Sequence, residues 1–476
     1  DYTYLPDELK YTSVSLKEVF DNKIRLEASA FSIKAKVAVE NLRDCKSGIT
    51  KLYPNDSFVV DAYHAPRFKR NYVNENTPDS IGFLGSAEML NVKPEAIKFL
   101  TKNQAEQKKL FVDYGTVLIS CSGTIGKTTF VNKSLEKFAF SQHIIRLVCK
   151  ENAGYIYAFL NTNEAQAQIQ SLIYGAVIPE IEPHHLENIV VPNAPENVKK
   201  EIHQLVVESY DLRDKSNSLI DQAENILYDE LQLKPIDELK TEYFDNSIEL
   251  RNYTTKLSDL RLRLDGSYHI PIIQQVESAL KQNAKELVKL SSPILTEDIV
   301  LPGRFSRTYV DKENGVQFLG GRDLFQLNPT TEKYLSKAVH KKQIQEDLRI
   351  SKNDILTPSR GTIGKVTLAP KHFSTKVISD NIVNVRPANE SIAGYLFSIL
   401  NSEYGSALIK RQIYGGVVDA MEPAMLASID IPLLKSTEKQ QEINDLVLQA
   451  NKLRHQAHLK EQEAISKMED IINDKR

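Results

Sequence analysis

At 476 residues the chain exceeds what one hydrophobic core comfortably serves, so two or three domains are expected. Its 41% hydrophobic and 26% charged residues describe an ordinary globular protein, without any apolar run near the ~20 residues that cross a bilayer. The balance of 60 basic against 63 acidic residues, net −3, excludes a uniformly basic nucleic-acid coat but permits a reader whose cations gather on one face.

The opening Asp1-Tyr-Thr-Tyr-Leu5 carries neither a basic n-region nor an apolar stretch, and Cys45, Cys121 and Cys149 show no CxxC spacing. A reducing, cytoplasmic setting is expected, with no disulfide framework and no Cys-rich zinc site. Motifs then arrive in pairs. Arg25-Leu-Glu-Ala-Ser29 returns as Arg263-Leu-Asp-Gly-Ser267, and Arg67-Phe-Lys-Arg-Asn-Tyr-Val73 as Arg304-Phe-Ser-Arg-Thr-Tyr-Val310. Phe83-Leu-Gly85 returns as Phe318-Leu-Gly320, and Gly123-Thr-Ile-Gly-Lys127 as Gly361-Thr-Ile-Gly-Lys365. Ile173-Tyr-Gly175, Glu182-Pro183 and Ile189-Val-Val-Pro192 return as Ile413-Tyr-Gly415, Glu422-Pro423 and Ile429-Asp-Ile-Pro432. The order is constant and the separation stays between 235 and 240 residues, so the chain is a tandem duplication. That period is far above the solenoid range, and two diverged copies most simply make a pseudo-dimer about a rough two-fold axis.

Each copy opens with a Gly-, Pro-, Asn- and Tyr-rich segment holding short strand-like runs: Ser57-Phe-Val-Val60, Thr116-Val-Leu-Ile-Ser120, Ile144-Ile-Arg-Leu-Val148 and Asp380-Asn-Ile-Val-Asn-Val385. A helical stretch is expected over about 153–173 and 393–413, followed by a Tyr-Gly turn and a strand ending in Pro192 or Pro432. A long polar helix closes each copy. Val198, Ile202, Leu205, Ser209, Leu212, Ser216, Leu219, Ala223 and Ile226 alternate steps of four and three, as do Ile443, Leu446, Ala450, Leu453, Ala457, Lys460 and Ala464. This is a heptad seam, too weakly apolar for a lone helix, and its simplest partner is the other copy's helix lying antiparallel. The 37 residues of 196–232 would make a rod of roughly 55 Å, on the order of 16 base pairs of duplex.

Ser122-Gly-Thr-Ile-Gly-Lys-Thr128 resembles a phosphate-binding loop but fails where that loop is demanding. Its first glycine is Cys121 here and Ser359 in the second copy, and Thr128 becomes Val366. A tight glycine turn after a strand is the plainer reading, with Lys127 and Lys365 riding it toward a phosphate backbone as the sharper one. There is no Asp/Asn-Pro-Pro-Tyr/Phe pocket, Gly-x-Ser-x-Gly elbow or His-Glu-x-x-His. Pro6-Asp7 with Asp21-Asn22-Lys23 imitates a nuclease pattern but has no counterpart in the second copy, and His184, His185, His455 and His458 lack companion ligands. No catalytic role is expected.

The segment Asp61–Tyr72 interleaves Arg67, Lys69 and Arg70 with Tyr63, His64, Phe68 and Tyr72, and the second copy keeps Arg304, Phe305, Arg307 and Tyr309. Arginine forks read guanine edges or grip phosphate, and tyrosine stacks or donates a hydroxyl. Alternating buried rings and solvated charges on a strand would give the same pattern, but its recurrence in both copies of an acidic protein favours a nucleic-acid surface. Tyr174 and Tyr414 of the Tyr-Gly turns and Arg360 before the second glycine turn complete the candidates.

Taken together, the paired Gly-Thr-Ile-Gly-Lys turns, Arg-Leu-Asp/Glu-x-Ser openings, Tyr-Gly … Glu-Pro … Ile-x-x-Pro endings and trailing helices resemble the specificity subunit of type I restriction–modification systems, over essentially the entire chain. The resemblance implies an α+β fold of two target recognition domains, residues 1–195 and 233–435 (with a leading linker 233–256), separated by spacer helices 196–232 and 436–476 in an antiparallel coiled coil. It implies a non-catalytic subunit that reads a split, asymmetric duplex DNA target and recruits two methyltransferase subunits, and restriction or translocase subunits where these exist. No cofactor is implied for this chain, S-adenosylmethionine belonging to the methyltransferase and ATP and Mg to a restriction subunit. The rival readings are a related type IIB or phage-exclusion methylase assembly, and a coiled-coil adaptor that faces other proteins.

Overall fold

The computed structural model describes residues 13–21, 24–54, 58–175, 177–239, 253–260, 263–416 and 418–475. They fall into two compact units: the first runs to Asp214 and resumes at Leu459, and the second spans Lys215–His458. Each unit therefore holds part of both long helices, Glu196–Leu231 and Thr437–Asn473. Of the expected features, Pro6, Asp7, Asn22, Lys23 and Ser57 lie outside the described residues.

The first unit contains β1 (Ile49–Lys51), β2 (Val59–His64), β3 (Ser80–Leu84), β4 (Lys98–Thr101), β5 (Val117–Ser120), β6 (Thr128–Phe130), β7 (Ala139–Phe140), β8 (Ile144–Cys149) and β9 (Val190–Pro192). All four residues of β5 are buried, which explains a continuous apolar run in place of alternation. It is central in an antiparallel sheet of order β2-β8-β5-β6. A second sheet, β4-β3-β7, has β3 and β7 parallel, and β1 pairs with β9. The main core joins Val117, Ile119, Ile145 and Leu147 of the first sheet to Tyr155 and Phe159 and to Ile202 and Val206 of the long helix.

The second unit repeats the plan with β10 (Glu286–Lys289), β11 (Thr296–Val300), β12 (Tyr309–Val310), β13 (Gly315–Leu319), β14 (Tyr334–Ser336), β15 (Ile355–Pro358), β16 (Thr367–Leu368), β17 (Val377–Ile378), β18 (Ile382–Pro387) and β19 (Asp430–Leu433). The sheet orders β11-β18-β15-β16, β12-β14-β13-β17 and β10-β19 match those of the first unit, strand for strand, except for β12. That strand is the end of the arginine–aromatic segment itself. In the first unit the matching Val73 makes only a single bridge, to Phe99.

The stretches expected as single helices are each broken in two: Ala153–Leu160 and Asn163–Leu172, and Glu390–Asn401 and Glu403–Arg411. The cause is local. Thr162 and Ser402 turn extended and their hydroxyls accept from Ala165 N and Gly405 N, capping a new helix. Gly154 and Gly394 then let the first helix of each pair reach the long one. A Cβ on Gly154 would stand 2.8 Å from His203 backbone, and one on Gly394 only 2.4 Å from Asn444 O.

Within the first unit, Lys467 pairs with Glu201 and Lys460 with Glu208, both at 2.8 Å, and buried Arg213 pairs with Glu461. Within the second, Arg454 donates to Asn217 at 3.2 Å. In the first unit one number falls as the other rises, so the two helix segments there run antiparallel. The seam residues Ile202, Leu205, Ser209, Ser216, Ala223, Ile443, Ala450, Leu453, Ala457 and Ala464 are buried. The buried stripe is wider than a heptad seam, adding Val206, Tyr210, Asn444 and Asn451, because the helices also carry the sheets. Asn444 Oδ1 accepts from Gly394 N at 2.8 Å and Asn451 Nδ2 donates to Ala369 O at 3.0 Å.

Candidate nucleic-acid interface

The glycine turn is built by its strand. In the first unit Ser120 Oγ accepts from Lys127 N at 2.9 Å and donates to Thr124 O at 2.6 Å, while Gly126 N donates to Ser120 O at 2.9 Å. Gly123 and Gly126 take φ of 74° and 87°, a left-handed conformation that glycine adopts without strain. Gly126 N and Lys127 N are spent closing the turn, so those two groups do not face a phosphate. Thr357 Oγ1 plays a similar part in the second unit, donating to Lys365 O at 3.0 Å. Lys127 and Lys365 sit half-buried at the end of the turn, where the chain re-enters the sheet.

The Tyr-Gly turn is fixed to this corner. Tyr174 pairs with Glu180 and Glu180 with Ser122; in the second unit Tyr414 and Arg360 both bridge to Ala420. Tyr174 OH donates to Glu182 at 3.1 Å and Tyr414 OH to Glu422 at 2.8 Å. Burial and the adjacent carboxylate push the Tyr174 phenol up to about 12. Burial would raise Glu182, but hydrogen bonds from His64 and Tyr174 hold it below the usual carboxylate range. The repeated Arg-Leu opening has its explanation here: Arg25 donates to Ile173 O at 2.8 Å and Arg263 to Ile413 O at 2.9 Å. Both arginines clamp the backbone just ahead of the tyrosine.

Onto this frame the structure places the remaining candidates. Tyr63 lies half-buried in β2 opposite Arg146, whose guanidinium stands 6.0 Å from its ring centre. Arg146 is wholly buried, and burial lowers it to about 10. It donates to Phe140 O, Ser141 O and Ile144 O at 2.8, 3.1 and 2.7 Å, pinning the loop that carries Gln142 and His143. Arg70 donates to Gln142 Oε1 at 2.9 Å and lies 5.5 Å from the Phe83 ring. His143 approaches Ser122 Oγ at 2.7 Å and is held below its ordinary value by burial and then by Arg70. Arg67, with 78% of its side chain exposed, reaches Glu180 at 3.3 Å. Lys69 is exposed, and Tyr72, 44% exposed, has Lys98 Nζ at 5.2 Å from its ring.

In the second unit Arg304 and Arg360 are exposed. Arg307 pairs with Asp380 and lies over the rings of Phe305 and Phe318 at 5.9 and 5.3 Å. Tyr309, 43% exposed, meets Phe318 edge-on at 6.1 Å. In the first unit Arg67 meets Glu180 beside the Tyr174 turn, and in the second Arg307 meets Asp380, next to Asn381 whose carbonyl accepts from Ser359 N. Sequence reasoning missed the residues that hold them: His64, Gln142, His143, Glu180, Glu182, Asp380 and Glu422. The repeated Glu-Pro pair marks Glu182 and Glu422, and His64 lies in the arginine–aromatic segment itself; the others come from distant segments without a motif. Among the described residues no group of three or more His, Cys, Asp or Glu could hold a metal ion, and no helix is long and apolar enough to cross a membrane.

The family described as type I restriction modification DNA specificity domain matches this chain twice, over residues 59–214 and 323–463. The chain belongs to that family. It carries two such domains, and its function is DNA sequence specificity in type I restriction–modification. The chain is similar to solved structures as well. One is the S subunit of a type I restriction–modification system from M. genitalium, at 12% identity and TM-score 0.33, covering 90% of this chain and 95% of the other. Another is the HsdS subunit from Thermoanaerobacter tengcongensis, at 14% identity and TM-score 0.26, covering 89% and 95%. A third, from work on complex assembly and conformational transition of the type I R-M system, has 13% identity and TM-score 0.27, covering 88% and 98%. A comparison with curated proteins gave no match.

Proposed function

We propose that each unit of this specificity chain reads one half of a split, asymmetric duplex target with its arginine–aromatic segment and Tyr-Gly turn. Recognition falls to residues 1–195 and 233–435, and the spacer role to 196–232 and 436–476. The chain is non-catalytic and acts in the cytoplasm. It recruits two methyltransferase subunits, which bring S-adenosylmethionine, and it serves a restriction subunit using ATP and Mg where one exists. The observation that carries this reading is the same frame built twice with different side chains on it: Lys69, Asn71 and Ser122 in one unit stand where Ser306, Thr308 and Arg360 stand in the other. One frame with two residue sets suits two unlike half-sites, because phosphate contacts can be shared while base contacts differ.

The test is affinity against salt, measured by fluorescence anisotropy on the full-length chain. Binding to duplex should fall with a slope of roughly −0.9 per neutralised phosphate. Absence of duplex binding, with and without methyltransferase subunits, would make the chain a protein adaptor. Removing one heptad from both helices should shorten the unspecified stretch between half-sites; an unchanged stretch would end the spacer role.

A further inference from the structure

Arg67 and Arg70 in the first unit match Arg304 and Arg307 in the second, and each unit places one carboxylate against one arginine of its pair. The carboxylate has changed places. In the first unit it is Glu180, against Arg67, while Arg70 is held by the neutral amide of Gln142. In the second, Ala420 takes the position of Glu180, bridging to Tyr414 as Glu180 bridges to Tyr174, so the exposed Arg304 meets no carboxylate there. Asp380 takes the position of Gln142 and pairs with Arg307.

The two pairs are not equal in strength. Arg67 is largely exposed, and an ion pair in such a setting opens readily. Asp380 has only 6% of its side chain exposed, and Arg307 is packed on two aromatic rings besides. Separating that pair would strand a buried carboxylate. Arg70 differs from both. An amide and the Phe83 ring orient it, and nothing in that arrangement cancels its charge.

We propose that the residue at positions 142 and 380 determines which arginine of each unit engages DNA. Arg70 is presented in the first unit and Arg304 in the second, with Arg307 withheld by Asp380. The acceptor that suits an oriented, uncompensated guanidinium is a guanine edge, where O6 and N7 accept both arms of the fork. This assignment rests on the DNA-reading function above. Gln142 and Asp380 are positioning residues, acting on the target through the arginine each one holds.

The experiment starts from a randomised duplex pool bound to the full-length chain, followed by affinity measurement on the winning duplex. Gln142→Glu gives Arg70 a carboxylate. It should weaken that duplex roughly 10- to 100-fold, the span of one lost bidentate contact. On reselection it should erase preference in one half of the target and leave the other half unchanged. Arg70→Ala should do the same, and the double variant should be no weaker than Arg70→Ala alone, because the two changes share one contact. Asp380→Asn frees Arg307, so affinity for all duplexes should rise and the salt slope should steepen by about 0.9 if one phosphate is gained. That gain runs opposite to anything a folding defect produces. The assignment is overturned if Gln142→Glu stays within about two-fold of the parent, or weakens Arg70→Ala as much as it weakens the parent. It is overturned also if Asp380→Asn raises neither the affinity for duplex nor the salt slope. If the unaltered chain enriches no sequence, the DNA reading itself falls, and this assignment with it.

Discussion

The two units share sheet order, glycine corner and tyrosine–glutamate turn, yet differ at several of their charged contacts. In the first unit, Asn132 and Ser134 fasten the sheet to Asp214 of the long helix. In the second, the position of Ser134 holds His372, which stacks 4.0 Å from His458 and lies 5.6 Å from His455. The first unit buries Arg213 against a carboxylate, and the second buries Arg454 against an amide. Duplication preserved the hydrogen bonds that set backbone geometry, Arg25 and Arg263 among them, and left the charged contacts free to diverge. A protein that must hold two readers in one shape while distinguishing what they read needs that division.

The largest contrast is expected in the helices. Glu461→Ala leaves Arg213 buried without its carboxylate and should cost about 3–5 kcal/mol of stability. Asn217→Ala removes a neutral acceptor from Arg454 and should cost about 1–2 kcal/mol. Equal losses in denaturant titration would show that the two buried arginines are not held differently. Next comes the glycine contact. Gly394→Ala, with its Cβ 2.4 Å from Asn444 O, should cost about 3 kcal/mol, and Gly154→Ala, at 2.8 Å, about 1–2 kcal/mol. The reverse order in the same titration would mean that the second unit yields more easily at that contact.

Smaller effects are expected on DNA. Arg304→Ala should lose about 1–3 kcal/mol of binding, confined to one half of the target, and Arg67→Ala less than about 1 kcal/mol because Arg70 carries the base contact of that unit. Anisotropy on the cognate duplex checks this, and a greater loss at Arg67 would reverse the contrast. Acid should also separate the units. Burial holds the His372 imidazole far below its ordinary value, whereas burial raises the Asp214 carboxyl. Below about pH 6.5 the unfolded chain takes up a proton that folded His372 refuses, so the second unit weakens by at most about 1.4 kcal/mol per pH unit. Folded Asp214 accepts its proton before the unfolded chain does, so falling pH favours the first unit. Amide exchange at pH 7 and pH 5 should show protection lost first around Ile355–Pro387; loss first around Val117–Cys149 would contradict it.

Much of this was legible in the sequence, and the reason is repetition. The duplicated motifs mark the corners, the turns and the helix seams, because glycine conformations and apolar spacing are local properties that recur together. The broken helices at Thr162 and Ser402 escaped notice because the polar stretches Asn161–Glu164 and Asn401–Glu403 are short enough to pass for one exposed turn of a continuous helix, and only one hydroxyl reports the cap. The arginine–aromatic segment stood out by composition. Its partners did not, since Gln142 lies 72 residues from Arg70, and Glu180 lies 113 from Arg67. A polar contact across that distance leaves no periodic trace. The role of Arg25 was hidden for a different reason: its motif was visible, but a side chain that donates to backbone carbonyls depends on no particular partner residue.

The most direct measurement is selection from a randomised duplex pool by the full-length chain, followed by sequencing of what it retains. Two unlike blocks of specified bases, separated by an unspecified stretch of constant length, are predicted. A single contiguous block, two identical blocks, or no enrichment would contradict a chain built from two different readers on one frame.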